Sequence, residues 1–243
     1  MELHLVHIYP DVLNLYGDRG NVLCLMRRLQ WRGIDVTVTG LPIGSTHVLR
    51  NCDLVFIGGG QDFEQQVLLE DLHRGLDREI CAAIEDGIPF LTICGGYQML
   101  GSYYEQADGG RCDFIGALDF HTIGAETRMI GNYQFTCTPE AGGSSVVGFE
   151  NHSGRTYLGS GVKPLGHVVS GYGNNGIDGT EGVHYKNVFG TYSHGPLLPK
   201  NPSFCDMLLR TALMRKYGCA DLTPLDDSAE NAAHNEMEKR LLD

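Results

Sequence analysis

Cys94 stands in the stretch IPFLTICGGY (88–97), straight after a run of apolar residues and straight before two glycines. A nucleophile at a sharp strand-to-helix turn has its side chain pushed clear of the sheet, and the strained turn needs small neighbours. Gly95 and Gly96 supply them. A helix opening there aims its free N–H groups and positive dipole end at the sulfur. The N–H of Gly95 is also placed to hold an oxyanion. Thr92, two residues before the cysteine, is larger than the glycine often found at that position.

A cysteine nucleophile works with an imidazole. Of ten histidines, His194 stands out, because NVFGTYSHGP places it at the end of a strand-like run with glycine following. In a parallel sheet, that end lies on the same edge as Cys94. A third run ends in IGGGQDFE (57–64), where Gly59 or Gly60 would present a second oxyanion donor. Each feature also has a plain structural reading. Cys94 would be a small packed hydrophobe, His194 a surface loop residue, and the glycines an ordinary turn. Their occurrence together at strand ends favours chemistry.

The elements that must position these residues alternate strand and helix. LHLVHIY (3–9), DVTVTG (35–40), DLVFIGGG (53–60) and IPFLTI (88–93) read as strands. Helical patterns cover NVLCLMRRLQWRG (21–33), the stretch from Phe63 to Asp86, and Gly95 to Gln106. Continuous apolar strands alternating with helices predict an α/β, flavodoxin-like fold: a mostly parallel sheet covered by helices on both faces. Ligands in such sheets collect at the carboxyl ends of the strands. From Ile115 to Gly195 the chain turns rich in Gly, Thr, Val and Tyr, which predicts additional strands in the second half. NPSFCDMLLRTALMRKYG (201–218) predicts a closing helix with a C-cap glycine. Residues 1–225 read as one domain. The polar tail 226–243 is helix-prone, with Ala229, Ala233, Met237 and Leu241 four apart. It reads as a frayed terminal helix or as one that docks on a partner.

Bulk composition narrows the classes. The chain has 243 residues and a formal net charge of −12, which disfavours nucleic acid and anionic membrane surfaces as partners. The longest uncharged run, Gly87–Tyr104, is broken by Pro89, Gly95, Gly96 and Gly101, so membrane insertion is not expected. The N-terminus MELHLVHIYPD lacks the basic and apolar regions of a secretory signal. Eight scattered cysteines without CxxC spacing suit reduced thiols in the cytoplasm, with no metal site expected. No G-x-x-x-x-G-K-[ST] loop occurs, so ATP is not expected to bind here through one.

FIGGGQD, ICGGYQML and GTYSHG together resemble the class I (triad-type) glutamine amidotransferases, in particular the cobyric acid synthase glutaminase branch, as does GFENHSGRT (148–156). YGDRGN (16–21) and SHGPLLPKNP (193–202) narrow the resemblance to the stand-alone glutaminase subunits of lipid II isoglutaminyl synthases. The resemblance implies that Cys94 attacks the side-chain amide of L-glutamine, with His194 shuttling the proton to ammonia. It implies Gln98 as a glutamine contact and Arg128, in ETRMIGNY, as the holder of the α-carboxylate. A planar guanidinium suits that task. It also implies a Mur-ligase-like (MurT-like) partner that carries ATP and magnesium. That partner would use the ammonia to amidate the D-glutamate α-carboxyl of lipid II, in peptidoglycan synthesis.

One departure stands out. Many triad amidotransferases carry a glutamate two residues after the histidine, and here that position is Pro196. The expected substitute is a carboxylate from the partner, a water or a backbone carbonyl. Three other readings stay open: a glutaminase subunit for another acceptor such as a corrinoid or purine precursor, a Cys–His hydrolase of the same fold, and a catalytically decayed scaffold.

Overall fold

The structure is a computed structural model that describes residues 1–45, 49–60 and 62–242, with backbone only for 62–66. Gln61, inside the IGGGQDFE loop, and Asp243, at the end of the tail, lie outside the described residues.

The first half builds a sheet from β1 (Glu2–Ile8), β2 (Asp35–Leu41), β3 (Leu54–Ile57) and β4 (Phe90–Ile93), completed by β11 (Val183–Tyr185) and β12 (Val188–Thr191). Its strand order is β11-β12-β4-β3-β1-β2. All neighbours pair in parallel except β11 with β12. β3, β4 and β12 are buried at every position. Both faces are therefore covered, as their unbroken apolar runs predict.

The covering helices follow from the topology. The crossover from β1 to β2 carries α1 (Arg19–Gln30), and that from β3 to β4 carries α2 (Asp62–Asp71) and α3 (Asp77–Glu85). These connections run in opposite directions along the sheet, so right-handed crossovers place their helices on opposite faces. The helix expected from Phe63 to Asp86 is interrupted by a π turn at Leu72–Leu76, where Gly75 takes φ 132°. A side chain would be strained there, and glycine is not.

The expectation for Gly95–Gln106 needs a larger correction. The helix after Cys94 is only α4 (Gly95–Gln98), and the chain re-enters a strand at β5 (Tyr103–Glu105). Gly101 lies so close to Phe120 that a Cβ would stand 2.5 Å from its ring. The segment is thus drawn onto a second sheet, where Tyr104 pairs with Thr122. A four-residue helix carries little macrodipole, so first-turn N–H groups matter more here than the dipole.

The second sheet has the order β10-β9-β7-β5-β6, with β8 also on β7. It comprises β6 (Arg111–Asp113), β7 (Phe120–Cys137), β8 (Ser145–Leu158), β9 (Gly166–Ser170) and β10 (Thr180–Glu181) besides β5. The long β7–β8 hairpin reaches the first sheet through a bridge between Phe149 and His194.

α5 (Pro202–Tyr217) ends at Gly218 with φ 68°, the left-handed cap expected from the sequence. It is tied to α1 by buried charge. Arg28 donates from Nε to Asp206 (2.8 Å) and from both terminal nitrogens to Asp227 (2.6 and 2.8 Å). Arg32 Nη2 donates to the other Asp206 oxygen at 2.6 Å. The tail forms α6 (Ser228–Leu242), which folds back on its own chain. The Lys200 carbonyl lies 3.0 Å from His234 Nδ1, and Glu238 accepts from Ser145 (2.5 Å) and Gln134 (2.9 Å). No helix among the described residues is long and apolar enough to cross a membrane.

Candidate active site

Neighbouring parallel strands end on one edge of the first sheet, and each delivers part of a site. β4 ends at Cys94, whose φ of 47° and ψ of −107° give the strained elbow expected of a nucleophile. β12 runs beside β4, and Thr191 accepts the Cys94 N–H at 2.8 Å. His194 follows, fully buried, with its own N–H donated to the Phe149 carbonyl at 2.8 Å. On the other side of β4, β3 delivers Gly58–Gly60, and beyond it the segment after β1 delivers Tyr16 and Asp18.

The approach is too close for side chains at Gly59. A Cβ there would lie 2.5 Å from His194 Cε1, 3.1 Å from Asp18 Oδ2 and 3.4 Å from Cys94 Cβ. Gly59 thus sits between the cysteine, the histidine and an acid, and only glycine lets the three approach. Its N–H does not face the cleft. It donates to Asp18 Oδ2 at 2.7 Å, contrary to the expectation that Gly59 holds an oxyanion. Gly60 lines the cleft, and Gly95 stands at the first position of α4, where an N–H has no partner within the helix.

Asp18 is a carboxylate beside His194 that the sequence reading did not expect. It is fully buried, and its Oδ2 lies 3.5 Å from His194 Nδ1, an ion-pair distance without a hydrogen bond of good geometry. Pro196, at the position where the resemblance led one to look for a glutamate, packs on α1: a Cβ at Gly20 would meet its ring at 2.6 Å. The start of α1 that presses on Pro196 is the segment that brings in Asp18. Burial pushes the His194 imidazole down, but the Cys94 sulfur and the Asp18 carboxylate outweigh it and raise it to about 10.

A cleft of about 410 Å³ opens above Cys94, lined among others by Tyr16, Gly60, Gln98, Arg128, Asn151 and His152. Gln98 is buried and donates from Nε2 to the Tyr192 hydroxyl at 3.0 Å. Arg128, on the β7–β8 hairpin, is exposed at the mouth, with Nε donating to Asn151 Oδ1 (2.8 Å) and Nη2 to the Asn151 carbonyl (3.0 Å). Of the residues expected from the sequence, Cys94, Gly60, Gln98 and Arg128 line one cleft; His194 lies buried behind it with Gly59 between it and Cys94, and Gly95 follows Cys94 at the start of α4.

Sequence reasoning gave no role to Tyr16, Asp18, Asn151 or His152. His152 stacks flat on Tyr192 at 3.5 Å between ring centroids, and the Gly154 carbonyl lies 2.8 Å from its Nδ1. Asp18 was open to discovery, because YGDRGN follows β1 and so must lie on the same sheet edge. The hairpin residues gave no such signal, since their approach depends on how the second sheet folds over the first. Among the described residues no group of three or more His, Cys, Asp or Glu side chains could hold a metal ion.

Comparison with known proteins gives the family. Residues 4–202 match the CobB/CobQ-like glutamine amidotransferase domain. The chain is 44% identical over 229 residues to the lipid II isoglutaminyl synthase (glutamine-hydrolyzing) subunit GatD of Staphylococcus aureus, covering 94% of this chain and 92% of that one. It is 41% identical over 218 residues to the same subunit of Streptococcus pneumoniae, covering 89% and 83%. A probable cobyric acid synthase of Methanopyrus kandleri is 37% identical over 139 residues, 52% of this chain and 28% of that protein. In fold, the present chain is similar to a chain in the structure of PurLQS from Thermotoga maritima, with a TM-score of 0.54 at 19% identity, over 88% of this chain and 98% of that one. By this match over most of its length, the chain belongs to the CobB/CobQ-like glutamine amidotransferases.

Proposed function

We propose that this chain is the glutaminase subunit of a lipid II isoglutaminyl synthase, with Cys94 and His194 as its catalytic pair. The observation that carries the chemistry is the meeting of a cysteine in a strained elbow with a buried histidine at adjacent strand ends. L-Glutamine enters the cleft with its α-carboxylate on Arg128 and its amide above Cys94. The sulfur attacks the amide carbon, and the carbonyl electrons move onto oxygen, held by the N–H groups of Gly95 and Gly60. Collapse breaks the C–N bond as His194 gives its proton to the leaving nitrogen, which departs as ammonia. Water then attacks the thioester and yields its proton to His194, and the C–S bond breaks to release glutamate. Asp18 holds positive charge on the imidazole while the proton is there.

The GatD relatives support the acceptor reading: they are named for lipid II isoglutaminyl synthase and match nearly the whole chain. The partner is then a Mur-ligase-like (MurT-like) synthetase subunit that binds ATP and magnesium and amidates D-glutamate. The buried Cys94–His194–Asp18 cluster argues against a decayed scaffold, because a charged cluster costs folding energy that an idle site has no reason to keep. The test is glutamate and ammonia release from L-glutamine by the chain alone and with such a synthetase, with Cys94→Ala as control. Release lost in Cys94→Ala, and amidated lipid II formed only with both subunits, is the expected result. Release that survives Cys94→Ala overturns the site, and release without any amidation of lipid II overturns the acceptor.

A further inference from the structure

Tyr16 is the least conventional residue at the cleft. Its backbone sits in the left-handed region (φ 55°, ψ 24°), unusual for a bulky side chain and kept only where the surroundings demand it. Its ring stands edge-on to His194 (centroids 5.0 Å, 71°) and to Phe149 (5.6 Å, 75°). It is 43% exposed, so it is not simply core. Its hydroxyl accepts a hydrogen bond from Asn151 Nδ2 at 2.5 Å. The same Asn151 holds Arg128, through its Oδ1 and its backbone carbonyl. One asparagine therefore joins the ring that covers the catalytic imidazole to the guanidinium at the cleft mouth.

The geometry also fixes how Arg128 is offered. A guanidinium has about five N–H donors in a rigid plane. With Nε and one Nη2 hydrogen engaged by Asn151, the edge formed by Nη1 and the second Nη2 hydrogen remains for a bidentate carboxylate. Freed from Asn151, an exposed arginine on a hairpin samples many rotamers, and that freedom must be lost on binding.

We propose that Asn151 and Tyr16 are positioning residues that work as one unit: Asn151 presets the Arg128 fork for the substrate α-carboxylate and, through Tyr16, holds the cover over His194. Recognition of the amino-acid head group and closure over the imidazole are then mechanically linked. This inference rests on the reading that Arg128 binds the α-carboxylate.

The test compares L-glutamine with 4-aminobutyramide, which keeps the amide but lacks the α-carboxylate. Kinetics are measured on the full chain with the synthetase subunit, and binding of both compounds on the full chain carrying Cys94→Ala. Asn151→Ala is expected to raise the KM and Kd for L-glutamine about 10-fold, worth one hydrogen-bonded contact of ~1.4 kcal/mol. The fall in kcat, from the loosened cover over His194, should be smaller and shared by both compounds, whereas the KM and Kd for 4-aminobutyramide should move less than about 2-fold, because no carboxylate is there to lose. Tyr16→Phe, which keeps the ring and deletes the hydroxyl, is expected to weaken L-glutamine about 3-fold in the same selective way. Equal losses of binding for both compounds would mean Asn151 is merely structural. Tyr16→Phe indistinguishable from wild type would break the link to the cover. Arg128→Ala separates the two levels. If it leaves L-glutamine binding unchanged, the carboxylate reading fails. If it weakens binding while Asn151→Ala does not, the positioning inference alone fails.

Discussion

Gly59→Ala puts the catalytic geometry under direct strain. The added methyl would lie 2.5 Å from His194 Cε1, whereas carbon atoms rest at about 3.5–4.0 Å. Roughly 1 Å of movement is therefore required. The backbone at Gly59 is not the part that yields most easily, since its N–H is bonded to Asp18 and its carbonyl accepts from Leu15 N–H at 3.0 Å. The displacement falls on the imidazole, which the edge of Tyr16 confines on another side. A 1 Å misplacement of a reacting group costs about 100-fold in rate, or ~2.7 kcal/mol of barrier. Overpacking costs folding stability too, about 1–3 kcal/mol, or roughly 2–10 °C in Tm for a chain of this size. The assay is the initial rate of glutamate release from L-glutamine, with thermal unfolding followed on the same preparation. Gly131→Ala is the matched control, because a Cβ there meets nothing within 4 Å. Gly59→Ala that is folded and turns over at the wild-type rate would refute the claim that His194 acts from this position.

Two further outcomes test charge. The Cys94 sulfur and then Asp18 raise the His194 pKa, so Asp18→Asn should lower it from about 10. The protonated imidazole is the form present below its pKa, so the alkaline limb of kcat/KM moves to lower pH, and a limb that does not move would exclude Asp18 as the source of the shift. Arg28→Ala leaves Asp206 and Asp227 without their buried partner, which should cost about 3–5 kcal/mol and lower Tm by roughly 10 °C. A loss under about 1 kcal/mol in urea unfolding would mean that the cluster is solvated like a surface pair.

The sequence marked the strands of the first sheet and pointed to Cys94 and His194 at two of their ends. Their signal is local: apolar runs that end in glycine, cysteine or histidine mark strand ends, and parallel pairing puts such ends on one edge. Whatever depends on distant segments was settled only by the tertiary structure. The helix after Cys94 ends early because Phe120, on another strand, occupies the space beside Gly101. Gly59 turned from oxyanion donor to spacer because Asp18, 41 residues earlier, takes its N–H. Asn151 and Tyr16 meet across 135 residues because the second sheet folds its hairpin over the first. No periodicity encodes such meetings. They arise where the packing of two sheets decides which side chains share a cleft.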